Sequence, residues 1–405
     1  MEIDGEHIEF SESHGNNPLF NRFKHLPHKS KSQFPRVAYV LQGGGSLGAY
    51  QFGVVKGLCE AGYEPDWVAA TSIGAIQAAI IVGNPPAKRI EKLTQFWDRI
   101  APPSMIDYLG KNDATIDIYN QLSAFSAFMF GQPHFFYPRW FEGTSPPFTL
   151  SFYDTAPLRE TLIELVDFDL LNSCPIRLSL GAVQNLSGHL IYFNNINYII
   201  RPEHVMASAA LPPGFPAVDV DGQLYWDGAI HSNTPLEVIL EAIPPENTLC
   251  FLIDCFGGQP FIPSDLDEVR ARMEDISYGT HAQRCLLNYL ERQRRYHAIK
   301  ELGKLLTKEQ RKQHADLLNV PNPHHCTIVH MAYHERFVRS ATKDFNFGKM
   351  MIDRRINSGF ADVQSLLVKQ TEWGVVPKKG ESRLYECSEN HTSLLRKYDV
   401  SPMEL

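Results

Sequence analysis

The chain has 405 residues, of which 43% are hydrophobic and 21% charged, a balance that excludes wholesale disorder and fits one large domain with an extension, or roughly two to three domains. The net charge of -8 argues against a nucleic-acid-binding surface as the main function. The 7 cysteines include no CxxC pair and predict free thiols in a reducing compartment rather than a disulfide framework.

The first 34 residues are polar and show no sustained periodicity, which predicts a loosely ordered arm over residues 1–34. Their acidic start lacks the basic and apolar regions of a secretory signal. No apolar window is long enough to span a bilayer. We therefore expect a cytoplasmic protein whose membrane contact, if it has any, is peripheral.

Ordered structure is predicted to begin with the apolar, β-branched run RVAYVLQ at residues 36–42, which stops at three glycines. The segment that follows, SLGAYQFGVVKGLCEAG, has apolar residues at helical spacing. The same order of strand and helix returns in WVAAT and IGAIQAAIIVG, and PAKRIEKLTQFWDRIA adds an amphipathic helix. This alternation predicts a mostly parallel sheet covered on both faces.

Further strands are predicted in PIRLSLGAVQ, HLIYFNN and TLCFLIDCF, and helices in EHVMASAALP and PLEVILEAI. From residue 264 the chain changes to long, charged, helix-favouring runs, interrupted by the strand candidate TIVHMAY. The segment after residue 375 is polar, and we expect it to be poorly ordered. These changes predict an α/β core at 35–262, a helical extension at 263–375 and a polar tail at 376–405.

The first glycine-rich turn contains Gly43, Gly44, Gly45 and Gly48 at G-x-G-x-x-G spacing, after a strand and before a helix. Dinucleotide binding would also require an acidic residue at the end of the second strand, and the sequence offers none there. Successive backbone N–H groups at a helix start can instead hold a phosphate or a transient oxyanion. No cofactor is predicted.

The second turn, Ala70-Thr71-Ser72-Ile73-Gly74, allows two interpretations. A serine at a helix start is more often a cap than a nucleophile. The stretch also matches the nucleophile-elbow pattern G-x-S-x-G, with Ala70 in place of the first glycine. An upstream glycine loop that holds an oxyanion, followed by such an elbow, would form a coherent acyl-transfer pair.

A candidate base for the serine is Asp227, followed by Gly228 and Ala229 in YWDGAIHSNTP. In isolation an Asp-Gly pair predicts only a turn. His231 is close in sequence, so a Ser-His-Asp arrangement also has to be considered.

The stretches GGGSLG, ATSIGA and WDGA, with the connecting MASAALPPGFPAV, together resemble the patatin-like phospholipase family over roughly residues 36–260. The resemblance implies a patatin-like three-layer α/β/α core and a catalytic Ser-Asp dyad without histidine, with Ser72 as nucleophile and Asp227 as base. It also implies an oxyanion hole built from the backbone of Gly43 to Gly45, and motif-supporting roles for Gly48, Ala70, Gly74, Gly228 and Ala229. Residues 264–370 resemble the helical extension of one bacterial branch of the family.

Two departures from the family pattern concern the chemistry. Ala70 replaces the usual glycine, so its methyl group must fit a crowded elbow, and Leu47 stands where the family often has Arg or Lys. The resemblance implies a serine acyl hydrolase acting on phospholipid or lysophospholipid esters. An esterase for short hydroxyacyl or storage-polyester oligomers, and a non-catalytic lipid- or protein-binding module, remain open alternatives.

Three further segments support two interpretations each. The aromatic-rich stretch at residues 123–148 is typical of a core, or of an insertion over an acyl pocket. The basic residues between 284 and 304 favour a solvated helix face over a lipid-headgroup site. The apolar stripe of the extension predicts packing on the core or in a homodimer.

Since the histidines lack metal-ligand spacing, no metal is predicted.

Overall fold

A computed structural model describes residues 32–104, 107, 115–139, 150–242, 246–257, 261–320, 326–334, 340–377, 382–387 and 395–399. Most of the predicted N-terminal arm therefore lies outside the described residues.

The strands are β1 (Arg36–Leu41), β2 (Trp67–Ala70), β3 (Tyr137–Pro138), β4 (Tyr153–Asp154), β5 (Arg177–Gln184), β6 (Leu190–Asn194), β7 (Val218–Val220), β8 (Gln223–Asp227), β9 (Thr248–Asp254), β10 (Cys326–Ala332), β11 (Arg383–Cys387) and β12 (Leu395–Asp399). A ten-stranded sheet has the order β12-β11-β10-β9-β1-β2-β5-β8-β7, and β6 also pairs with β5. The strands from β11 to β5 run parallel, while β6, β7, β8 and β12 pair antiparallel.

The α-helices are α1 (Gly48–Glu60), α2 (Ile73–Val82), α3 (Pro86–Ile100), α4 (Ile116–Phe130), α5 (Ala156–Leu165), α6 (Phe168–Ser173), α7 (Pro202–Ser208), α8 (Glu237–Leu240), α9 (Leu266–Leu305), α10 (Lys308–Gln313), α11 (Ala315–Leu318), α12 (Lys349–Leu367) and α13 (Gln370–Trp373). Within the described part of the chain, no helix combines the length and apolar character needed to cross a membrane.

The central strands are buried on both faces, and their side chains alternate between two cores. Val37, Tyr39 and Leu41 of β1 belong to the larger core, whereas Ala38 and Val40 belong to a second core with residues of α8 and α9. Helices therefore cover both faces of a mostly parallel sheet, which confirms the predicted three-layer α/β/α architecture.

The C-terminal part of the chain continues this sheet instead of forming a purely helical appendage. β10 pairs in parallel with β9 over seven residues, from Cys326↔Thr248 to Ala332↔Asp254. β11 and β12 then extend the same edge. The expectation of a poorly ordered tail after residue 375 is wrong for these two strands, because β11 pairs with β10 and buries Leu384 and Tyr385 in the core, and β12 pairs in turn with β11.

Helix α12 packs tightly on α1, the helix that begins at the glycine-rich turn. A Cβ added at Gly53 would lie 1.9 Å from the carbonyl oxygen of Ile356, and one at Gly359 would lie 2.2 Å from that of Tyr50. The two backbones thus approach more closely than any residue with a side chain would allow. This contact joins the extension to the start of the core.

Candidate active site

The candidate nucleophile Ser72 occupies a strained turn between β2 and α2. Its backbone has φ 59° and ψ −128°, a conformation that is costly for a residue with a side chain and occurs most often at functional sites. Ser72 precedes the first residue of α2, yet its side chain makes no capping hydrogen bond. The helix-cap interpretation is therefore wrong, and the geometry is that of a nucleophile elbow.

Small residues make this elbow possible. A Cβ at Gly74 would lie 2.5 Å from the carbonyl oxygen of Leu41, and one at Gly48 would lie 2.8 Å from Cγ1 of Ile73. Ala70 is fully buried in β2, between Leu41 of β1 and Leu180 of β5. Its methyl group therefore packs into the core.

The candidate base Asp227 ends β8 and is completely buried. Burial raises the pKa of its carboxyl group to about 7, although the backbone N–H of Ala229 and the Ser72 hydroxyl both act to lower it. The N–H of Ala229 donates to Oδ1 at 2.8 Å. Oδ2 has no hydrogen-bond partner of ordinary geometry among the described residues. Asp227 is therefore a desolvated carboxyl group beside the Ser72 hydroxyl.

The residues after Asp227 hold it in place. Gly228 lies so close to β5 that an added Cβ would be 2.5 Å from the carbonyl oxygen of Gly181. His231, the third member of a possible triad, is exposed to solvent. The structure thus brings Ser72 and Asp227 together and leaves His231 outside.

The glycine loop lies beside Ser72, at the carboxyl end of β1. A Cβ at Gly43 would lie 3.0 Å from Cβ of Ser72 and 2.3 Å from Oδ1 of Asn233, so only glycine fits there. The N–H of Gly43 donates to the carbonyl oxygen of Asn233 at 3.1 Å. This N–H is therefore engaged, which corrects the expectation that Gly43 to Gly45 all donate to an oxyanion. The N–H groups of Gly44 and Gly45 have no hydrogen-bond acceptor in the described part of the chain.

The C-terminal extension holds the same loop from α12 and from the short 3-10 turn at Lys343–Phe345. The fully buried Arg355 donates to Oγ of Ser46 at 2.8 Å and to the carbonyl oxygens of Lys343 and Asn346 at 3.0 Å each. Oγ of Ser46 in turn donates to the carbonyl oxygen of Lys343 at 3.0 Å. Gly45, with φ 53°, lies where an added Cβ would be 2.5 Å from the carbonyl oxygen of Asp344.

Several residues of the site have no independent signal in the sequence. Asn233 holds Gly43 from both sides, since its side-chain amide also donates to the Gly43 carbonyl oxygen at 3.3 Å. The carbonyl oxygen of Ser208 accepts the N–H of Ser72 at 3.0 Å. Arg355 also has no local signal, because it lies 309 residues along the chain from its hydrogen-bond partner Ser46. Each contact is made by tertiary packing between distant segments, so no local pattern could have identified them.

The structure also describes part of the aromatic stretch and of the basic cluster on the extension. The aromatic stretch at 123–148 is described only up to residue 139, where Phe135 and Phe136 pack against Phe215 and Phe347 in the core. On the extension, Arg292, Arg295 and Lys304 form surface ion pairs with glutamates. These pairs support a solvated helix face.

With this geometry in place, comparison with known proteins identifies the family. The profile of the family described as patatin-like phospholipase matches residues 39–240, and a second profile, DUF3734, described as patatin phospholipase, matches residues 276–379. The chain belongs to the patatin-like phospholipase family. The first match contains the glycine loop, Ser72 and Asp227, and the second contains Arg355.

Similarity to individual proteins is local. The triacylglycerol lipase SDP1L of Arabidopsis thaliana is 39% identical over 54 residues, which are 13% of this chain and 7% of that protein. A patatin-like phospholipase domain-containing protein of Phaeosphaeria nodorum is 44% identical over 59 residues, 15% of this chain and 7% of that protein. The matched region thus amounts to 7% of the length of these curated relatives. The crystal structure of VipD from Legionella pneumophila superposes with a TM-score of 0.38 at 16% identity, covering 84% of this chain and 68% of that one.

Proposed function

We propose that this protein is a serine acyl hydrolase of lipid esters that uses Ser72 as nucleophile and Asp227 as general base. One observation carries the proposal: a serine with φ 59° that caps no helix faces a fully buried aspartate whose pKa is raised to about 7. A strained serine and a desolvated carboxylate are the two groups that a dyad without histidine requires. Membership of the patatin-like phospholipase family supports the lipid ester as substrate.

The reaction follows from the positions of these groups. The Asp227 carboxylate takes the proton of the Ser72 hydroxyl as Oγ attacks the ester carbonyl carbon, and the carbonyl oxygen becomes an oxyanion. Asp227 then gives the proton to the leaving alcohol, the ester C–O bond breaks, and an acyl-serine remains. A water molecule, deprotonated by Asp227, attacks the acyl-serine and releases the fatty acid, while the proton returns to Ser72.

We assign the oxyanion to the N–H groups of Gly44 and Gly45, because Gly43 donates to Asn233. Donors of this kind contribute on the order of 3 kcal/mol to transition-state stabilisation. Ser72 also lies at the N-terminus of the ten-residue helix α2, whose dipole favours negative charge on Oγ. These groups stabilise the negative charge that develops on Oγ and on the carbonyl oxygen.

The dyad is tested by hydrolysis of a lysophospholipid by three variants of the full chain. Asp227→Asn and Ser72→Ala should each abolish turnover, because residues that act as a unit fail together. His231→Ala, the matched control, should retain most of the wild-type rate, because His231 is exposed and apart from the dyad. A folded but inactive His231→Ala variant would contradict the dyad and favour a triad.

The pH dependence provides a second test and a check of folding. Since the base must be ionised, the rate should rise with pH through about 7 and then level off. Because the pKa of Asp227 is raised in the folded protein, ionisation of this carboxyl group opposes folding. The stability that its neutral form provides is lost as pH rises through about 7. The Asp227→Asn variant should therefore be more stable than wild type at pH above about 8, by up to about 4 kcal/mol, with no such gain below about pH 4.

The substrate class is tested with esters that differ in alcohol and chain length. Phospholipid, lysophospholipid and hydroxyacyl oligomers should be compared at equal concentration with the wild-type chain and with Ser72→Ala. Preference for the two lipids supports the proposal. Preference for the oligomers would support the polyester alternative while keeping Ser72 and Asp227 in their roles. No turnover of any ester and no reaction at Ser72 would leave the non-catalytic binding module.

A further inference from the structure

We propose that Glu237, His281 and Cys285 form a zinc-binding site between the core and the extension. Among the described residues, the three side chains offer a carboxylate oxygen, an imidazole nitrogen and a sulfur that all lie within 4.8 Å of one another. The prediction of no metal depended on local spacing along the chain. Glu237 comes from a separate segment of the chain, so local spacing could not reveal the three-residue group.

The arrangement of donors suits a tetrahedral metal ion. Sγ of Cys285 lies 3.6 Å from Oε2 of Glu237 and 3.7 Å from Nδ1 of His281. Zinc binds sulfur at about 2.3 Å and nitrogen or oxygen at about 2.0–2.1 Å. With tetrahedral angles, these bond lengths place the sulfur roughly 3.5 Å from the nitrogen or oxygen. His281 and Cys285 are four residues apart on α9 and thus share one face of the helix. Sulfur together with nitrogen and oxygen donors is a set that zinc accepts.

The surroundings orient Glu237 for this role. Its Oε1 accepts hydrogen bonds from the hydroxyl groups of Tyr192 and Ser232, which fixes the carboxylate and directs Oε2 towards Cys285. Hydrogen bonds of this kind to a ligand carboxylate are typical of metal sites. A cavity of about 340 Å³, lined also by Arg292 and Arg295, opens beside Glu237 and Cys285. The cavity leaves room for a water molecule as fourth ligand.

The site would connect α9 to the loop that follows Asp227. The carbonyl oxygen of Ser232 accepts a hydrogen bond from Oγ1 of Thr71 at 3.3 Å, and Thr71 immediately precedes Ser72. A metal held by Glu237 would therefore stabilise this loop and fasten the extension to it. Metal binding at this site does not depend on the hydrolase chemistry of Ser72 and Asp227.

A thiol hydrogen bond offers a simpler account of the same contacts. The Cys285 thiol has one proton, so it can donate to Glu237 or to His281 but not to both at once. Under that account the three side chains have no affinity for metal. If a metal ion binds, the thiol proton is released to solvent and a metal–thiolate bond replaces it, which has a spectroscopic signature.

The test uses the reduced, full-length protein, stripped of metal by a chelator and titrated with Co²⁺. Wild-type protein should bind one equivalent and develop the near-ultraviolet absorption of a cobalt–thiolate bond, which Zn²⁺ should then abolish by displacement. Cys285→Ser should lose the absorption, and Tyr192→Phe should weaken binding about tenfold or more. Cys59→Ser, which alters a cysteine outside the cluster, is the matched control and should behave as wild type.

Thermal unfolding provides the second readout. Zn²⁺ should raise the melting temperature of the wild-type and Cys59→Ser proteins and leave that of Cys285→Ser unchanged. A wild-type protein without cobalt–thiolate absorption, or a Cys285→Ser protein with the same absorption as wild type, would overturn the proposal. Either result would leave the contacts of Cys285 as thiol hydrogen bonds.

Discussion

The two long helices of the extension, α12 and α9, differ in how they meet the core. Helix α12 packs against α1 with close backbone contacts at Gly53 and Gly359, and carries the buried Arg355. Helix α9 buries Ala282, Leu286 and Tyr289 but leaves much of its apolar stripe in solvent. The family profile at 276–379 includes all of α12 and most of α9. We infer from this difference that α12 completes the fold around the glycine loop, whereas α9 covers one face of the sheet with only part of its surface.

The largest effect should come from removing the extension. Truncation after residue 262 deletes β10, which pairs with β9 along its whole length, and α12, which covers α1. The remaining protein should aggregate, because a buried strand edge and a large apolar surface become exposed. Solubility and size-exclusion chromatography measure this. Truncation after residue 388, which among the described residues removes the edge strand β12, is the matched control and should remain soluble.

A soluble, monodisperse and fully active truncation after residue 262 would contradict this comparison. It would show that the extension is an independent module, and would reopen its interpretation as a partner- or lipid-binding domain.

A smaller effect should come from adding one methyl group, either at the contact between α1 and α12 or on α9. Gly53→Ala places a Cβ 1.9 Å from the carbonyl oxygen of Ile356, so the α1–α12 contact must open, at a cost of about 3 kcal/mol in the free energy of unfolding. Gly303→Ala on α9 meets only the end of the flexible Leu318 side chain, at 3.2 Å, and should stabilise the helix by up to about 1 kcal/mol. Denaturant unfolding measures both. Equal losses would show that the two helices pack alike.

The contact between α12 and the glycine loop should affect catalysis more than stability. Ser46→Ala removes the hydroxyl that Arg355 holds, and should lower kcat on the order of tenfold with little change in KM, because the loop N–H groups lose their position. Arg355→Lys should have a similar effect, since an ammonium group lacks the planar fork. The exposed Ser173→Ala is the control. A Ser46→Ala enzyme with unchanged kcat would mean that α12 supports the fold alone.

The smallest effect is expected at Ala70. Replacing it with glycine should leave the rate near that of wild type and lower the free energy of unfolding by about 1 kcal/mol, because a fully buried methyl group is lost from β2. Kinetics and denaturant unfolding of the same preparation measure both quantities. A sharp loss of turnover in a stable Ala70→Gly protein would show that the methyl group itself shapes the elbow.

The same contrast between local and distant contacts explains what the sequence could predict. The strand, turn and helix at 36–60 and the elbow at Ser72 depend on local spacing and on small residues, and both were predicted. The engaged N–H of Gly43 was not, because its acceptor Asn233 comes from a distant loop. Helix α8 extends over only 237–240, shorter than its apolar spacing suggested. β11 and β12 were missed because β11 is ordered by pairing with β10, and β12 by pairing with β11.

The assignment of Ser72 is tested most directly by a fluorophosphonate probe, which forms a covalent bond with an activated serine. In wild-type protein the probe should label Ser72, located by mass spectrometry of the digested chain, and labelling should increase as pH rises through about 7 because Asp227 must be ionised. Ser72→Ala should take up no probe, and His231→Ala should label as wild type. Labelling of the Ser72→Ala protein at another serine, or a wild-type protein that is folded and unlabelled, would contradict the proposed nucleophile.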